Sequence, residues 1–278
     1  MESLQNKTAV ITGAASGIGR AFAERFSAAG MNIVLADIDA SSLHVAAQAI
    51  EARGAGALAV TTDVSDASSV EALRDAALDR FGAVHLVCNN AGVGDRSETI
   101  EEWEWVMGVN FWGVVHGMRT FLPLLVEQDE GHMVNTSSMS GLMPAYGSYA
   151  ASKFAVLAIT EGAYYQLGNR GSKVGLSCLC PGFVQTQIGR SERSRPDWAG
   201  RDDEPTDAAR ARVAMIQHGT DTGIPPAAVA DLVHDAVVAR RFWVFPHPDR
   251  VTALRPRFEA ILNGENPPLL PTVDANGL

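Results

Sequence analysis

Lys7-Thr8-Ala9-Val10-Ile11-Thr12-Gly13-Ala14-Ala15-Ser16-Gly17-Ile18-Gly19 passes from an apolar run through a glycine-rich turn into a helical pattern. Lys7–Thr12 reads as a strand. From Gly17 to Ala29, the residues Ile18, Ala21, Phe22, Arg25 and Phe26 recur at helical spacing. Glycines between a strand and a helix let the backbone turn tightly and approach a pyrophosphate. The helix N-terminus adds free N–H groups and a partial positive charge. The spacing is Gly-x-x-x-Gly-x-Gly rather than the commoner Gly-x-Gly-x-x-Gly, so the signal lies in its position within a βαβ unit; a plain strand-to-helix turn is the competing reading. About twenty residues on, Asp37 closes the next apolar run, where a carboxylate can accept from both adenosine ribose hydroxyls and repel a 2′-phosphate. Ser16 carries no charge to hold such a phosphate, and both residues favour NAD over NADP. Asp37 capping the following loop is the alternative, and Asp39 reads as solvated.

The alternation continues outward. Strands are expected at Asn32–Asp37, Ala57–Thr62, Val84–Cys88, His132–Thr136, Val174–Leu179 and Phe242–Phe245. Helices are expected at Ser41–Arg53 with Ser41 as N-cap, Asp66–Phe81, Thr99–Val126 with a bend near Asn110 and Gly113, Tyr149–Gly168, Pro226–Ala239 and Asp249–Leu262. Short apolar strands separated by helices indicate right-handed βαβ units and a parallel sheet covered on both faces. Nothing reads as a linker before residue 182, so residues 1–278 are expected to form a single domain. The pattern loosens over 185–224, which follows the carboxyl end of a strand and reads as a substrate lid, or else as a solvated loop. The Pro-rich tail 263–278 is expected to lie extended on the surface or against a partner subunit.

Composition narrows the function. A net charge of −10 argues against a nucleic-acid partner. No apolar run is long enough to span a bilayer and no secretory signal pattern opens the chain. Cys88, Cys178 and Cys180 lie in apolar strand-like runs, which implies reduced, buried thiols and a cytoplasmic setting. Histidines lack metal-ligand spacing, so no metal is expected, and the Asn135-Thr136-Ser137 glycosylation match reads as accidental.

Ser138–Lys153, SMSGLMPAYGSYAASK, is where chemistry concentrates. Tyr149 and Lys153 share a helix face at i and i+4. A cation beside a phenol favours the phenolate, and a serine hydroxyl from the strand end can hold a substrate oxygen. An isolated Tyr-x-x-x-Lys reads more readily as a solvated helix face. The lysines are only Lys7, Lys153 and Lys173, with arginine carrying the charge elsewhere, which favours a tuned role for Lys153.

With TGAASGIG, Asn89-Asn90-Ala91-Gly92, Asn110 in VNFWG, Ser138, YAASK and Pro181-Gly182 in PGFVQT in this order, the chain resembles the single-domain branch of the short-chain dehydrogenase/reductase superfamily. The resemblance covers residues 5 to about 190 and implies a Rossmann-type, doubly wound, seven-stranded parallel sheet in a homotetramer or homodimer. It also implies roles. Tyr149 looks like the proton donor and acceptor, Lys153 its pKa-lowering partner and ribose ligand, and Ser138 the holder of the substrate oxygen. Asn110 would order a helix bend and a relay water. Gly13, Ser16, Gly17, Ile18 and Gly19 match the pyrophosphate loop, and Asp63 and Val64 the adenine pocket. Asn90, Ala91 and Gly92 would line the cofactor, and Pro181, Gly182, Val184 and Thr186 the carboxamide site. Ser138 stands eleven residues before Tyr149, closer than is usual in the family; Thr136 fits the longer spacing, and Ser137 and Ser140 are further candidates.

The expected activity is NAD(H)-dependent interconversion of a hydrophobic aryl, cyclic, steroid or terpene secondary alcohol and its ketone. The alternatives are an NADPH-dependent ketoacyl-type reductase and a non-catalytic NAD-binding sensor or scaffold of the same fold. Phe183, Met143, Tyr146, Trp198 and Met215 are candidates for an apolar pocket; Trp103 and Trp105 read as helix-packing residues and His218 as a surface histidine.

Overall fold

The computed structural model describes residues 3–97, 99–200 and 207–268. The strands β1 (Thr8–Thr12), β2 (Asn32–Asp37), β3 (Ala57–Thr61), β4 (Leu86–Asn89), β5 (His132–Thr136), β6 (Gly175–Leu179) and β7 (Trp243–Val244) form one sheet of seven strands. The order is β3-β2-β1-β4-β5-β6-β7 and every pairing is parallel. The chain reverses its winding between β1 and β4, which opens a crevice at their carboxyl ends.

Helices cover both faces: α1 (Gly17–Ala28), α2 (Ala40–Glu51), α3 (Ala67–Phe81), α4 (Ile100–Met107), α5 (Gly113–Glu127), α6 (Ser148–Asn169), α7 (Asp207–Thr222), α8 (Pro226–Ala239), α9 (Pro248–Val251) and α10 (Arg255–Asn263). Successive residues of a strand point to opposite faces. Ala9 and Ile11 therefore join Phe22, Phe26, Leu43, Ile50, Val229 and Val233 in one core layer. Val10 joins Val70, Leu73, Phe121, Leu125 and Leu157 in the other. All three cysteines are buried and unbridged, and Asn135 of the glycosylation match is fully buried. Among the described residues no helix is long and apolar enough to cross a membrane.

Several expectations need correction. Asp39, not Ser41, caps α2, its carboxylate accepting from the Ser42 N–H at 3.1 Å. Both residue types are good caps, and the helix begins one residue before Ser41. The expected strand Phe242–Phe245 pairs only through Trp243 and Val244. The expected helix Asp249–Leu262 divides into α9, a 3₁₀ turn at Thr252–Leu254 and α10. The loosened stretch 185–224 contains 3₁₀ turns at Ile188–Ser194 and Asp197–Ala199 and the sixteen-residue α7. It leaves and rejoins the body at one parallel bridge, Val184 to Ile224. Residues 201–206 of this insertion, and residues 269–278 of the expected extended tail, lie outside the described residues.

Candidate active site

The glycine loop is built for close approach. Gly13 and Gly17 take φ of +68° and +54°, a region open to glycine at little cost. A Cβ on Gly19 would fall 2.2 Å from the Gly13 carbonyl oxygen, so only glycine fits there. Ser16 is the N-cap of α1, yet its side chain makes no capping bond, and the first turn carries no acidic residue. The N–H groups of that turn therefore face outward with an unopposed partial positive charge. Ile18 packs against the core beneath them. Asp37 stands beside the loop, one carboxylate oxygen accepting from the Ala15 N–H at 3.0 Å and the other from Asp39 N–H at 3.1 Å. The carboxylate thus fixes its own loop and the glycine loop together. These features fit a dinucleotide: a cradle no side chain fills, open donors for its pyrophosphate, and an acceptor where a ribose would lie.

Thr12, a residue the sequence reading passed over, ties this loop to the next. Its hydroxyl accepts from the N–H groups of Asn90 and Ala91 at 2.9 and 3.0 Å, and Asn90 Nδ2 donates to the Thr12 carbonyl at 3.1 Å. Gly92 follows, exposed, on the same side as Asn110 and Lys153. In the loop after β3, Asp63 folds into a local turn with Ser65, and the Val64 carbonyl meets His116 Nδ1 at 2.9 Å.

Asn110 is fully buried in a five-residue π-helical stretch, Gly108–Trp112, which is the bend expected there. Its amide accepts from Val93 N–H at 2.8 Å and donates to the Val93 carbonyl at 2.9 Å and to Ser152 at 3.1 Å. Ser152 in turn donates to the Tyr149 carbonyl at 2.7 Å. The side chain of Asn110 therefore holds the β4 loop against α6.

Tyr149 and Lys153 lie in the first turns of α6, with the ammonium 5.7 Å from the phenol ring centre. Burial is the main influence on both. It pushes the phenol up to about 12, against a lowering bond from Ser138 and with a further rise from the charge of Asp95. It pushes the ammonium down to about 8. The chain by itself thus holds the phenol above its ordinary value, because desolvation exceeds what the bond from Ser138 returns. The Ser138 hydroxyl donates to the Pro181 carbonyl at 3.3 Å and accepts from Ser140 N–H at 3.1 Å, near enough to the Tyr149 phenol to lower its pKa. Ser137 is turned away and spent on the Lys153 carbonyl at 2.8 Å. Thr136 contributes its carbonyl to Lys153 and its hydroxyl to Asn90. The shortened loop therefore leaves Ser138 as the hydroxyl at the phenol.

The loop after β6 closes the crevice. Pro181 also accepts from Met139 N–H, and Gly182 N–H donates to His247 Nδ1 at 3.0 Å, a contact from the C-terminal region with no motif to announce it. Thr186 packs near Gly17, and Val184 is buried at the bridge. The pocket candidates scatter. Phe183 is wedged against Gly219 and under Arg250, and Met143 packs on the core. Tyr146 is exposed and edge-on to Trp103; Trp198, Met215 and His218 are exposed too. Trp105 is buried beneath the guanidinium of Arg195, as a packing residue should be.

Comparison with known proteins agrees with this geometry. The family described as short chain dehydrogenase matches residues 7–197. A 1-deoxy-11-beta-hydroxypentalenate dehydrogenase of Streptomyces exfoliatus is 38% identical over 267 residues, 93% of this chain and 89% of that protein. A 3beta-hydroxysteroid dehydrogenase 2 of Eggerthella lenta is 37% identical over 194 residues, 67% of this chain and 74% of that protein. The crystal structure of a Burkholderia phymatum short chain dehydrogenase/reductase in complex with NAD superposes with a TM-score of 0.94 at 43% identity, covering 98% of this chain and 100% of that one. By its sheet, its crevice and its relatives, the chain belongs to the short-chain dehydrogenase/reductase family of oxidoreductases.

Proposed function

We propose that the protein is an NAD(H)-dependent dehydrogenase interconverting a hydrophobic secondary alcohol and its ketone, with Tyr149 as the general acid/base. The observation that carries this is the Lys153 ammonium 5.7 Å from the centre of the Tyr149 phenol ring, with Ser138 following β5 and Gly92 of the β4 loop beside the lysine. Bound NAD supplies the hydride acceptor or donor. A phenol pushed up to about 12 holds its proton, as a donor to a ketone oxygen must. Ser138 fixes that oxygen through its hydroxyl. Lys153, held by the Thr136 carbonyl, places a cation under the phenol. Asn110 sets the β4 loop and α6 in register.

Asp37 supports NAD over NADP, because its fixed carboxylate would oppose a 2′-phosphate beside the glycine loop. The NAD complex of the Burkholderia relative agrees with that choice. The hydroxypentalenate and hydroxysteroid named for the relatives support a bulky, largely apolar alcohol. The test is a screen with NAD⁺ of 1-phenylethanol, cyclohexanol, borneol and a 3β-hydroxysteroid, run beside Tyr149→Phe. Turnover of one of these by the wild type, and a loss of about 10³-fold or more in kcat with NADH still bound by the variant, is expected. Near-full turnover by Tyr149→Phe overturns the assignment.

A further inference from the structure

The loop after β4 carries an acid that the family motifs do not use. Asp95 is 3% exposed. Its carboxylate accepts from the Tyr149 backbone N–H at 3.0 Å, and from the Arg212 guanidinium at 2.7 and 2.8 Å. The Tyr149 N–H is one of the first-turn donors of α6 that have no partner within the helix, and Gly147 at the N-cap offers no side chain to satisfy them. Asp95 therefore caps the catalytic helix from outside, and its charge suits that helix end. Gly147 makes room for it: at φ +133°, a Cβ there would lie 2.6 Å from the carboxylate and 3.1 Å from the guanidinium.

Arg212 belongs to α7, the helix of the insertion. Two further contacts bring the insertion onto the same loop and α4. Arg195 pairs with the fully buried Glu102, and Ser191 Oγ accepts from Gly94 N–H at 2.9 Å. The insertion thus supplies the cation that neutralises an acid already bound to Tyr149. Were α7 unseated, the Asp95 carboxylate would stand without its cation at the Tyr149 backbone, and a negative charge at that distance still opposes phenolate formation.

We propose that Asp95 is a positioning residue that couples the seating of α7, through Arg212, to the acid/base function of Tyr149. With α7 seated the acid is paired and its charge offset; with α7 displaced the unpaired charge makes the Tyr149 phenol harder to deprotonate. Among the described residues, and besides Asp95 with Arg212 behind it, the titratable and charged groups that act here are Lys153 on the phenol's own helix and, behind that lysine on the β6 side, the thiols of Cys178 and Cys180. The charge of Asp95 is among the influences that raise the phenol. This inference rests on the proposed role of Tyr149.

The test is a double-mutant cycle in the full chain, with Asp95→Asn, Arg212→Gln and the double variant, following kcat against pH with NAD⁺ and the 3β-hydroxysteroid or 1-phenylethanol of the screen. Asp95→Asn keeps an acceptor for the Tyr149 N–H and removes the negative charge, so its pH midpoint should fall. Arg212→Gln leaves the acid unpaired, so its midpoint should rise, and the double variant should return toward wild type. Amide exchange of α7 and of the Tyr149 N–H, measured with NADH bound, should speed up about tenfold in Arg212→Gln. The sign-preserving Asp95→Glu and Arg212→Lys should keep the wild-type midpoint and guard against a variant that does not fold. Midpoints that stay put, or move in the same direction in both single variants, overturn the inference. An inactive Tyr149→Phe with unmoved midpoints would remove this coupling alone, whereas an active Tyr149→Phe would remove the acid/base reading beneath it.

Discussion

The ammonium of Lys153 donates to the main-chain carbonyl of Thr136 at 3.0 Å, with the side chain almost wholly buried. One carbonyl does not replace the water such a cation loses, and burial lowers its pKa from 10.5 to about 8. Below about 8 the folded protein carries a charge it would rather shed; above 10.5 the lysine is neutral folded or unfolded and the cost is gone. Lys153→Met is therefore expected to abolish turnover while raising stability at pH 7 by about 1–3 kcal/mol. Urea melts at pH 7 and pH 10 check this, since the gain should shrink between about 8 and 10.5.

Ser138 and Ser137 separate by their partners. Ser138→Ala should reduce kcat by about 10²-fold or more and also cost about 1–2 kcal/mol of stability, because its buried hydroxyl lies near the phenol and bonds the Pro181 carbonyl and the Ser140 N–H. Ser137→Ala should cost about 1–2 kcal/mol of stability and leave kcat within a few-fold, because its hydroxyl is spent on the Lys153 carbonyl. Steady-state kinetics and thermal melts on the two variants suffice.

Asp37→Asn keeps an acceptor for the Ala15 N–H and removes the charge beside the glycine loop. The ratio of kcat/KM for NADP to that for NAD is expected to rise by about tenfold or more, chiefly through KM. An unchanged ratio would remove Asp37 as the discriminating residue.

Glu102 and Arg195 form a buried pair, 0% and 4% exposed at their side chains. Burial raises the Glu102 carboxyl, but the bonds from Arg195 and from the Arg96 and Ser97 N–H groups outweigh it and hold the carboxyl below its usual range. Its contribution is present above the unfolded value of 4.5 and is lost as pH falls through the lower folded value. Arg195→Met strands the carboxylate and should destabilise the fold by about 3–5 kcal/mol at pH 7, less in acid as the stranded group takes up a proton. Urea denaturation at pH 7 and pH 4.5 measures both.

The sheet was legible because burial on both faces leaves strands such as NIVLAD continuously apolar, a pattern few other structures produce. The helix bend at Asn110 was legible because Asn and Gly interrupt an otherwise helical run. The helix Asp207–Thr222 was not, since it is polar and alanine-rich with too weak an apolar stripe to set a period. Asp95 and Glu102 were missed for another reason. Their cations, Arg212 and Arg195, come about a hundred residues later, and an acid in a loop or an exposed-looking helix reads as solvated until its partner is placed. The cap at Asp39 was misread locally, because serine and aspartate compete at the same turn.

The bridge between Val184 and Ile224 is the stem on which the insertion 185–224 stands. The glycine loop, Ser138, Tyr149 and Lys153 all precede that stem, while Thr186, just inside it, packs near Gly17, so most of the insertion is in effect a cassette. A transplanted cassette from a relative of different specificity inherits one fixed condition. It must bring two guanidiniums to Asp95 and Glu102, or arrive in a recipient where both acids have been neutralised.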